Sequence, residues 1–189
     1  FGIVQGGRFD DLRAAHTAEL AERDLDGYAI GGVAVGEAPA EMYRVTQHAA
    51  PLLPADKPRY LMGVGYPHDL VEAVAAGVDM FDCVIPTRNA RNGRLFVRGG
   101  HVSAKLAAFK EDSRPIEEGC GCPTCARFSR GYIRHLFMAN EILGHRLMTM
   151  HNLWHYQWQM RRIRAAIEAG TMRELLAETR AERARHAQT

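Results

Sequence analysis

Short apolar runs, each followed by glycine or polar residues and then by a helical pattern, recur along the first part of the chain. The first run is followed at residues 10–25 by apolar positions that roughly keep a helical period. Pro39 and Pro67 lie near the starts of later helical patterns, where a missing N–H costs nothing. This alternation is the βα rhythm of a parallel sheet. The four apolar runs are residues 2–4, 28–30, 59–62 and 78–81.

Glycines or a polar residue stand at the carboxyl end of each predicted strand, which is the active-site face of a (β/α)8 TIM barrel. An open doubly wound sheet is the alternative, but no G-x-G-x-x-G follows the first strand. Four units cannot close an eight-stranded barrel, which usually needs about 250 residues. We therefore predict an α/β chain in which residues 1–93 form half of a (β/α)8 barrel.

The βα rhythm stops after residue 81. Residues 94–102 predict a hairpin around Gly99 and Gly100, and the remainder reads as helical. A first apolar stripe covers positions 133, 136, 137 and 147. A second covers positions 153, 156, 160, 163 and 167, on a helix that Gly170 ends. We expect a second domain over residues 94–170 and a charged helical tail over residues 171–189.

The composition, with 47% hydrophobic and 24% charged residues, is that of a globular protein. No apolar run approaches the roughly 20 residues needed to span a bilayer, so we expect no membrane association. The chain has neither a starting Met nor a leader pattern, which predicts that it begins within a longer protein. The net charge of +2 says little, but residues 83–110 contain arginines and lysines without any acidic residue. Such a local basic stripe suits a phosphate partner, although a solvated surface loop would look the same.

Three of the four cysteines lie within six residues, in the spacing Cys-x-Cys-x2-Cys of Cys120, Cys122 and Cys125. The clustering favours a cytoplasmic metal site over a secreted disulfide framework. Three thiolates and one further ligand would close a structural tetrahedral zinc site. Spacing does not choose the fourth ligand, for which the candidates are His135, His145, His151, His155 and Cys83.

Asp82 ends the fourth predicted strand, just before the arginine-rich segment. A carboxylate at a barrel mouth is a candidate nucleophile or base, although it could equally cap its own loop. The neighbouring arginines favour chemistry on a nucleotide. Gln5 and Gly32, at two other strand ends, could together bind a purine edge, but glycine pairs are also common in turns.

Several ordered blocks resemble the tRNA-guanine transglycosylase family, of the bacterial type, over almost the whole chain. The resemblance implies the last four βα units of a (β/α)8 barrel, followed by a zinc-binding subdomain. The blocks are GIVQGG (2–7), AIGGVAVGE (29–37), YLMGVG (60–65), MFDCVIPTRNARNG (80–93), CGCPTC (120–125), SRGYIRHLFMAN (129–140) and HNL (151–153).

The resemblance also implies roles for individual residues. Asp82 would be the nucleophile, and one zinc ion per chain would be held by Cys120, Cys122, Cys125 and His151. The base pocket would include Gln5, Gly32, Val33 and Met62. RNA binding would involve Gly63, Val64, Gly65, Tyr66, Pro67, His68 and Asp69, and, for wobble-region recognition, Thr87, Arg88, Asn89, Ala90 and Arg91.

The implied activity is exchange of guanine at the wobble position of tRNAs with GUN anticodons, by double displacement, in queuosine biosynthesis. Val35 has the branched side chain of bacterial-type members, which favours 7-aminomethyl-7-deazaguanine as the incoming base. The family's second catalytic aspartate lies upstream of Phe1, so we expect the isolated chain to be inactive. A homodimer is expected, with Tyr132 and His135 as plausible contacts. The alternatives are a non-catalytic zinc and tRNA-binding module, or an archaeal-type enzyme acting on another tRNA position.

Overall fold

A computed structural model describes residues 1–33 and 36–187 and divides the chain into two compact units, Phe1–Cys83 and Val84–Thr189. The division falls after β4, at the point where the βα rhythm of the sequence stops. The division of the chain into residues 1–93, 94–170 and 171–189 remains a prediction of its domain organisation.

The first unit is built on a parallel sheet of four strands in the order β1-β2-β3-β4, which confirms the predicted parallel sheet. A helix follows each of the first three strands. The strands are β1 (Gly2–Val4), β2 (Tyr28–Ile30), β3 (Arg59–Leu61) and β4 (Met80–Phe81), and the helices are α1 (Asp10–Ala21), α2 (Pro39–Ala49, extended by a 3₁₀ turn at Ala50–Leu52) and α3 (Pro67–Ala75). Closure of this sheet into a barrel remains a prediction.

Buried apolar side chains of the strands and helices form the core of this unit. Val4, Ile30 and Leu61 come from neighbouring strands and are essentially inaccessible, and Val45 joins them from α2. Pro39 and Pro67 begin their helices, as predicted. Helix α1 differs from the apolar pattern, because Leu12 is exposed while Arg13 is fully buried. Since parallel strands end at the same edge, the strand order brings the four predicted strand-end positions to one edge of the sheet.

The second unit combines a two-stranded antiparallel hairpin with helices. The hairpin was predicted, and its two-residue turn is Arg98-Gly99, with Gly99 in the left-handed region at φ +76°. The elements are α4 (Ile85–Arg91), β5 (Arg94–Val97), β6 (Gly100–Ser103), a 3₁₀ turn (Ala107–Phe109), α5 (Pro123–Arg127), α6 (Arg130–Met138), α7 (Ile142–Glu168) and α8 (Met172–His186). No helix in the described ranges is long and apolar enough to cross a bilayer.

Two expectations for the second unit need correction. The arginine-rich segment expected to be a loop is helix α4, which begins with a proline in its first turn. The second apolar stripe was placed partly on the wrong face, since Leu153 and Ile167 are 44% and 54% exposed. The buried face of α7 instead carries polar residues, among them His151 and Asn152, and a count of apolar positions cannot locate such a face.

Candidate functional site

The carboxyl edge of the parallel sheet carries the residues for which the sequence predicted chemistry. Gln5 follows β1, Gly32 follows β2, Met62 follows β3 and Asp82 follows β4. Asp82 is exposed and Met62 is half-buried. One edge of the first unit therefore holds the predicted nucleophile and three of the predicted base-pocket residues.

One oxygen of Asp82 is held by two hydrogen bonds. The Tyr60 hydroxyl donates to Oδ1 at 2.5 Å, and the Gly63 amide donates to the same oxygen at 2.9 Å. These bonds stabilise the charged carboxylate, so the pKa of Asp82 is lowered, chiefly by Tyr60 and then by Gly63. No other residue of the described ranges donates a hydrogen bond to Oδ2. Asp82 therefore presents an ionised carboxylate with one fixed oxygen and one available oxygen.

Tyr60 is a site residue that the sequence interpretation missed. Tyr60 pairs with Met80 in the parallel register, so Tyr60 and Asp82 lie on the same face of neighbouring strands, two positions apart. The hydrogen bond to Asp82 raises the pKa of Tyr60. Side chains alternate between the two faces of β3 and β4, and this alternation was the sequence signal that could have placed Tyr60 beside Asp82. Gly63, at φ +72°, supplies its amide from a conformation that favours glycine.

The structure brings Gln5 and Gly32 together. A Cβ on Gly32 would lie 2.8 Å from Gln5 Oε1, and one on Gly31 would lie 2.7 Å from Gln5 Nε2. The amide of Gln5 therefore rests on the glycine pair, and a Cβ at either glycine would displace the end of the Gln5 side chain. Val33 is 5% exposed and belongs to the core, so its backbone, rather than its side chain, is the part near this edge. Val35 lies outside the described residues.

Several of the predicted RNA-binding residues in the segment 63–69 are buried. Val64, Gly65 and Asp69 are buried, and Asp69 accepts a short hydrogen bond from Tyr43 while pairing with His68 Nε2 at 3.2 Å. Pro67 begins α3. Tyr66 is 38% exposed, and its ring stacks on that of His68 with centroids 5.8 Å apart. The rings of Tyr66 and His68 are therefore the side chains of this segment that are best placed to meet a partner.

Helix α4, in the second unit, carries the predicted wobble-recognition residues on two different faces. Arg88 and Arg91 are exposed, whereas Ala90 is fully buried in the core of this unit. Thr87 donates its hydroxyl to the Val84 carbonyl. The half-buried Asn89 leaves its Nδ2 without a partner in the described part of the chain. The two arginines are the groups of α4 that can meet a phosphate.

A separate cluster in the second unit could hold a metal ion. Cys120, Cys122, Cys125 and His151 bring their ligand atoms within 4.8 Å of one another. His151 Nδ1 lies 3.5 Å from the sulfurs of Cys122 and Cys125 and 3.9 Å from that of Cys120. Bond lengths of a tetrahedral zinc site predict about 3.6 Å between sulfur and nitrogen ligands. The four residues are therefore already spaced for tetrahedral coordination.

Hydrogen bonds within the cluster shift the pKa values of two of its thiols in opposite directions. Contacts with Cys120 and Cys125 lower the pKa of Cys122 to about 3. The pKa of Cys125 is raised, because its proton is shared with Cys120 and Cys122. Three sulfurs this close cannot all be thiolates unless a cation balances their charge.

The hydrogen bonding of His151 determines which of its nitrogens faces the cysteines. Its Nε2 lies 2.7 Å from the carbonyl oxygen of Phe96 on β5. A carbonyl only accepts, so Nε2 carries the proton and Nδ1 offers its lone pair to a metal. The next residue, Asn152, accepts from the Phe96 amide at 3.0 Å. Strand β5 is thus joined to two consecutive residues of α7.

The other candidates for the fourth ligand lie outside the cluster. His135 is exposed, and the ring of His145 meets Phe137 edge-on. His155 is 4% exposed and stacks on Phe96, and burial lowers its pKa to about 4. Cys83 belongs to the first unit, where its thiol faces the Gly65 carbonyl at 3.7 Å.

Comparison with known proteins agrees with these features. The family model described as queuine tRNA-ribosyltransferase matches residues 1–185. A queuine tRNA-ribosyltransferase of Solidesulfovibrio magneticus is 55% identical over 96% of this chain and 48% of its own length. One of Vibrio cholerae is 55% identical over 98% of this chain and 49% of its own length. A queuine tRNA-ribosyltransferase of a Shewanella species is 54% identical over 94% of this chain and 48% of its own length.

The chain spans about half the length of these curated relatives. The match includes both the strand-end edge with Asp82 and the Cys3His cluster. The chain belongs to the queuine tRNA-ribosyltransferase family, also called the tRNA-guanine transglycosylases.

Proposed function

We propose that this chain is the C-terminal half of a bacterial-type tRNA-guanine transglycosylase, with Asp82 as the nucleophile. The observation that carries the proposal is the state of Asp82: its pKa is lowered, one oxygen is fixed by Tyr60 and Gly63, and the other has no partner in the part of the chain that the structure describes. An ionised, oriented carboxylate is what attack on a sugar carbon requires.

The proposed reaction has two displacements at one carbon. The guanosine is turned out of its stack, and Oδ2 of Asp82 attacks ribose C1′. The C1′–N9 bond breaks, and guanine leaves with the electron pair and takes up a proton. The incoming 7-deazaguanine loses its N9 proton and attacks C1′ through N9, which breaks the C1′–Oδ2 bond and frees Asp82. Two inversions retain the configuration, and the carboxylate stabilises the oxocarbenium-like transition states.

Gln5 and the glycine pair beneath it would bind the base. An amide side chain offers both a donor and an acceptor, and Gln5 presents these groups at the edge that carries Asp82. Met62, which directly precedes Gly63 in the chain, would cover the purine ring. The aminomethyl-substituted base, 7-aminomethyl-7-deazaguanine, is proposed from the bacterial character of the sequence.

The tRNA partner, with a GUN anticodon, is proposed to meet two sets of residues. The exposed guanidinium groups of Arg88 and Arg91 would contact phosphates, since arginine forms paired bonds with such anions. Tyr66 and His68 would contact the RNA from the segment after β3. These partners suit an enzyme that works in the cytoplasm.

The Cys3His cluster is proposed to hold one structural zinc ion. Its four protein ligands leave no open position for substrate, which is typical of structural sites. A metal here would join the cysteine segment to α7 and, through His151, to β5. Tyr132, 39% exposed and stacked on Phe128 at 5.4 Å, supports a proposal of homodimer formation through α6, with the exposed His135 as a second contact.

The nucleophile is tested in the full-length gene product with Asp82→Ala. We expect no tRNA adduct on denaturing gels and loss of base exchange. The matched control is Asp79→Asn, because Asp79 also lies beside β4 but binds the Arg59 amide at the opposite end of the strand. An adduct that forms in Asp82→Ala as it does in the parent would refute the assignment.

The competing function is a zinc and tRNA-binding module without catalysis. We expect this chain by itself to exchange no base but to bind tRNA, because it supplies only part of the site. Base exchange by the isolated chain would refute the expectation that the catalytic site needs residues from outside this chain. If the full-length parent protein also exchanges no base, the binding module is favoured.

A further inference from the structure

Arg13 is the largest charged side chain that the structure buries completely. It lies near the start of α1 and is 0% exposed. Burial lowers the pKa of Arg13, and the charges of Asp10 and Glu37 partly offset this effect. Arginine nevertheless stays charged in proteins. A buried guanidinium is costly unless its donors are used, so its partners indicate its role.

The partners of Arg13 are carbonyl oxygens from two strand-end segments. Its Nε donates to Gly7 at 2.7 Å, after β1. Its Nη2 donates to Gly31 at 2.9 Å and lies 3.5 Å from the carbonyl of Gly32, after β2. The guanidinium therefore joins the loop that carries Gln5 to the loop that carries Gly32.

These loops would be poorly defined without such a bridge. Gly7 and Gly32 have φ values of +55° and +66°, and glycine loses more conformational freedom on ordering than other residues. The backbone of Gly6 also lies against Arg13, because a Cβ there would be 2.8 Å from Arg13 Cγ. The guanidinium group of Arg13 fixes the glycine segments on which the Gln5 amide rests.

Three further donors around Arg13 lack partners. Its own Nη1 is buried and makes no hydrogen bond within residues 1–33 and 36–187. Within the same ranges, neither the Gly32 amide nor the Val33 amide has an acceptor, although Val33 is 5% exposed. Backbone amides inside a protein seldom lack an acceptor; here Gly32 is half-buried and Val33 is buried. The two amides indicate an acceptor that the described residues do not supply, such as the carbonyl oxygen of a bound base.

The charge of Arg13 also acts on these amides through the peptide groups. Arg13 donates to the Gly31 oxygen, and the nitrogen of the same peptide group is that of Gly32. The Gly32 oxygen and the Val33 amide are related in the same way. Hydrogen bonds in a chain polarise one another, so a cation on the oxygen side makes each N–H a stronger donor.

We propose that Arg13 is a positioning residue of the purine pocket, which holds Gly7, Gly31 and Gly32 so that the Gly32 and Val33 amides and Gln5 bind the base. Arg13 acts through these groups and does not itself react. This inference rests on the proposed function, because it takes the strand-end edge as the site of base exchange.

The test uses the full-length gene product with Arg13→Lys and Arg13→Met, and with Arg23→Met as the control. Arg23 is an exposed arginine beyond the end of α1, paired with Glu19, so its loss removes the same charge outside the pocket. Lysine keeps the charge but cannot span two loops with one nitrogen. Calorimetry gives the dissociation constant of the free 7-deazaguanine base, and steady-state exchange gives KM for base and for tRNA together with kcat.

We expect Arg13→Lys to weaken base binding at least tenfold and Arg13→Met to weaken it further. KM for tRNA should stay within twofold in both variants, and Arg23→Met should match the parent throughout. A purely structural role would lower the melting temperature and kcat and leave the base dissociation constant within twofold, and that result overturns the proposal. If Arg13→Met does not fold, Arg13→Lys decides the question alone. A parent that neither binds nor exchanges the base would instead refute the proposed function.

Discussion

Asn152 offers a sharp test of how the second unit is held together. Its buried amide accepts from the Phe96 amide at 3.0 Å and donates from Nδ2 to the carbonyls of Pro86 and Arg94, at 2.9 and 3.0 Å. One side chain of α7 therefore binds the backbone of Pro86 near the start of α4 and the backbone of Arg94 and Phe96 in β5. The perturbation is Asn152→Leu, which keeps the approximate volume and removes all three bonds.

The magnitude follows from the number and burial of these bonds. A buried hydrogen bond contributes about 1 kcal/mol net, and a buried donor left without an acceptor costs about 1–3 kcal/mol. Asn152 is 0% exposed, so water cannot replace the lost partners without rearrangement. We expect Asn152→Leu to lower the free energy of unfolding by about 3 kcal/mol, which is a large part of the stability of a typical domain.

Gln159 provides the matched control on the same helix. It is 4% exposed, and its Nε2 has no partner in the described ranges. Removing a buried Nε2 group that has no acceptor relieves a desolvation cost, so Gln159→Met should leave stability unchanged or raise it by up to about 1 kcal/mol.

Urea unfolding of the 189-residue chain, followed by tryptophan fluorescence, measures both effects. Both tryptophans of the chain lie on α7, so the signal reports on the second unit. The two variants should differ by at least about 2 kcal/mol in unfolding free energy. Equal destabilisation by Asn152→Leu and Gln159→Met would refute the reasoning, because shape rather than hydrogen bonding would then control stability at both positions.

The remaining predictions concern the strand-end edge and the metal cluster. Tyr60→Phe removes the main cause of the lowered pKa of Asp82, so the pKa rises towards its ordinary value. The acid limb of the pH profile for base exchange then moves to higher pH, and an unmoved limb contradicts the assignment. The stability that Tyr60 contributes through Asp82 is present above the unfolded-state pKa of Asp82 and is lost as the pH falls through its folded-state pKa. Gly65→Ala places a Cβ 2.0 Å from Cys83 Sγ, so we expect a loss of about 1–3 kcal/mol in unfolding free energy, partly restored by adding Cys83→Gly. Cys125→Ser should lower bound zinc, measured by mass spectrometry, well below about one ion per chain. Undiminished zinc in that variant would exclude Cys125 as a ligand.

Features that depend on local sequence were predictable. The parallel direction of β1 to β4 follows from short apolar runs separated by helical patterns, and the hairpin follows from Gly99 and Gly100 between two apolar segments. The three cysteines of the metal cluster were equally clear, since their spacing places the thiols on one short segment. In each case the pattern that predicts each element lies within a short stretch of the chain.

Features that depend on distant partners were not predictable in the same way. The face of α7 that is buried is marked by His151 and Asn152, and both are buried because their side chains bind the backbone of Phe96. Apolar periodicity counts such residues as polar and exposed, so it placed Leu153 in the core although it is 44% exposed. The same bond to Phe96 distinguishes His151 from the other histidines.

Arg13 and Tyr60 show the same limitation at the strand-end edge. On sequence alone, Arg13 is one charged residue on an amphipathic helix, and Tyr60 is one aromatic residue in a strand. Arg13 can be buried because carbonyls of the glycine segments after β1 and β2 accept hydrogen bonds from its Nε and Nη2. Tyr60 reaches Asp82 because β3 and β4 pair in one register. Both residues act on neighbours that carry the chemistry. A site predicted from reactive residue types will therefore include Asp82 and Gln5 but omit the residues that orient them.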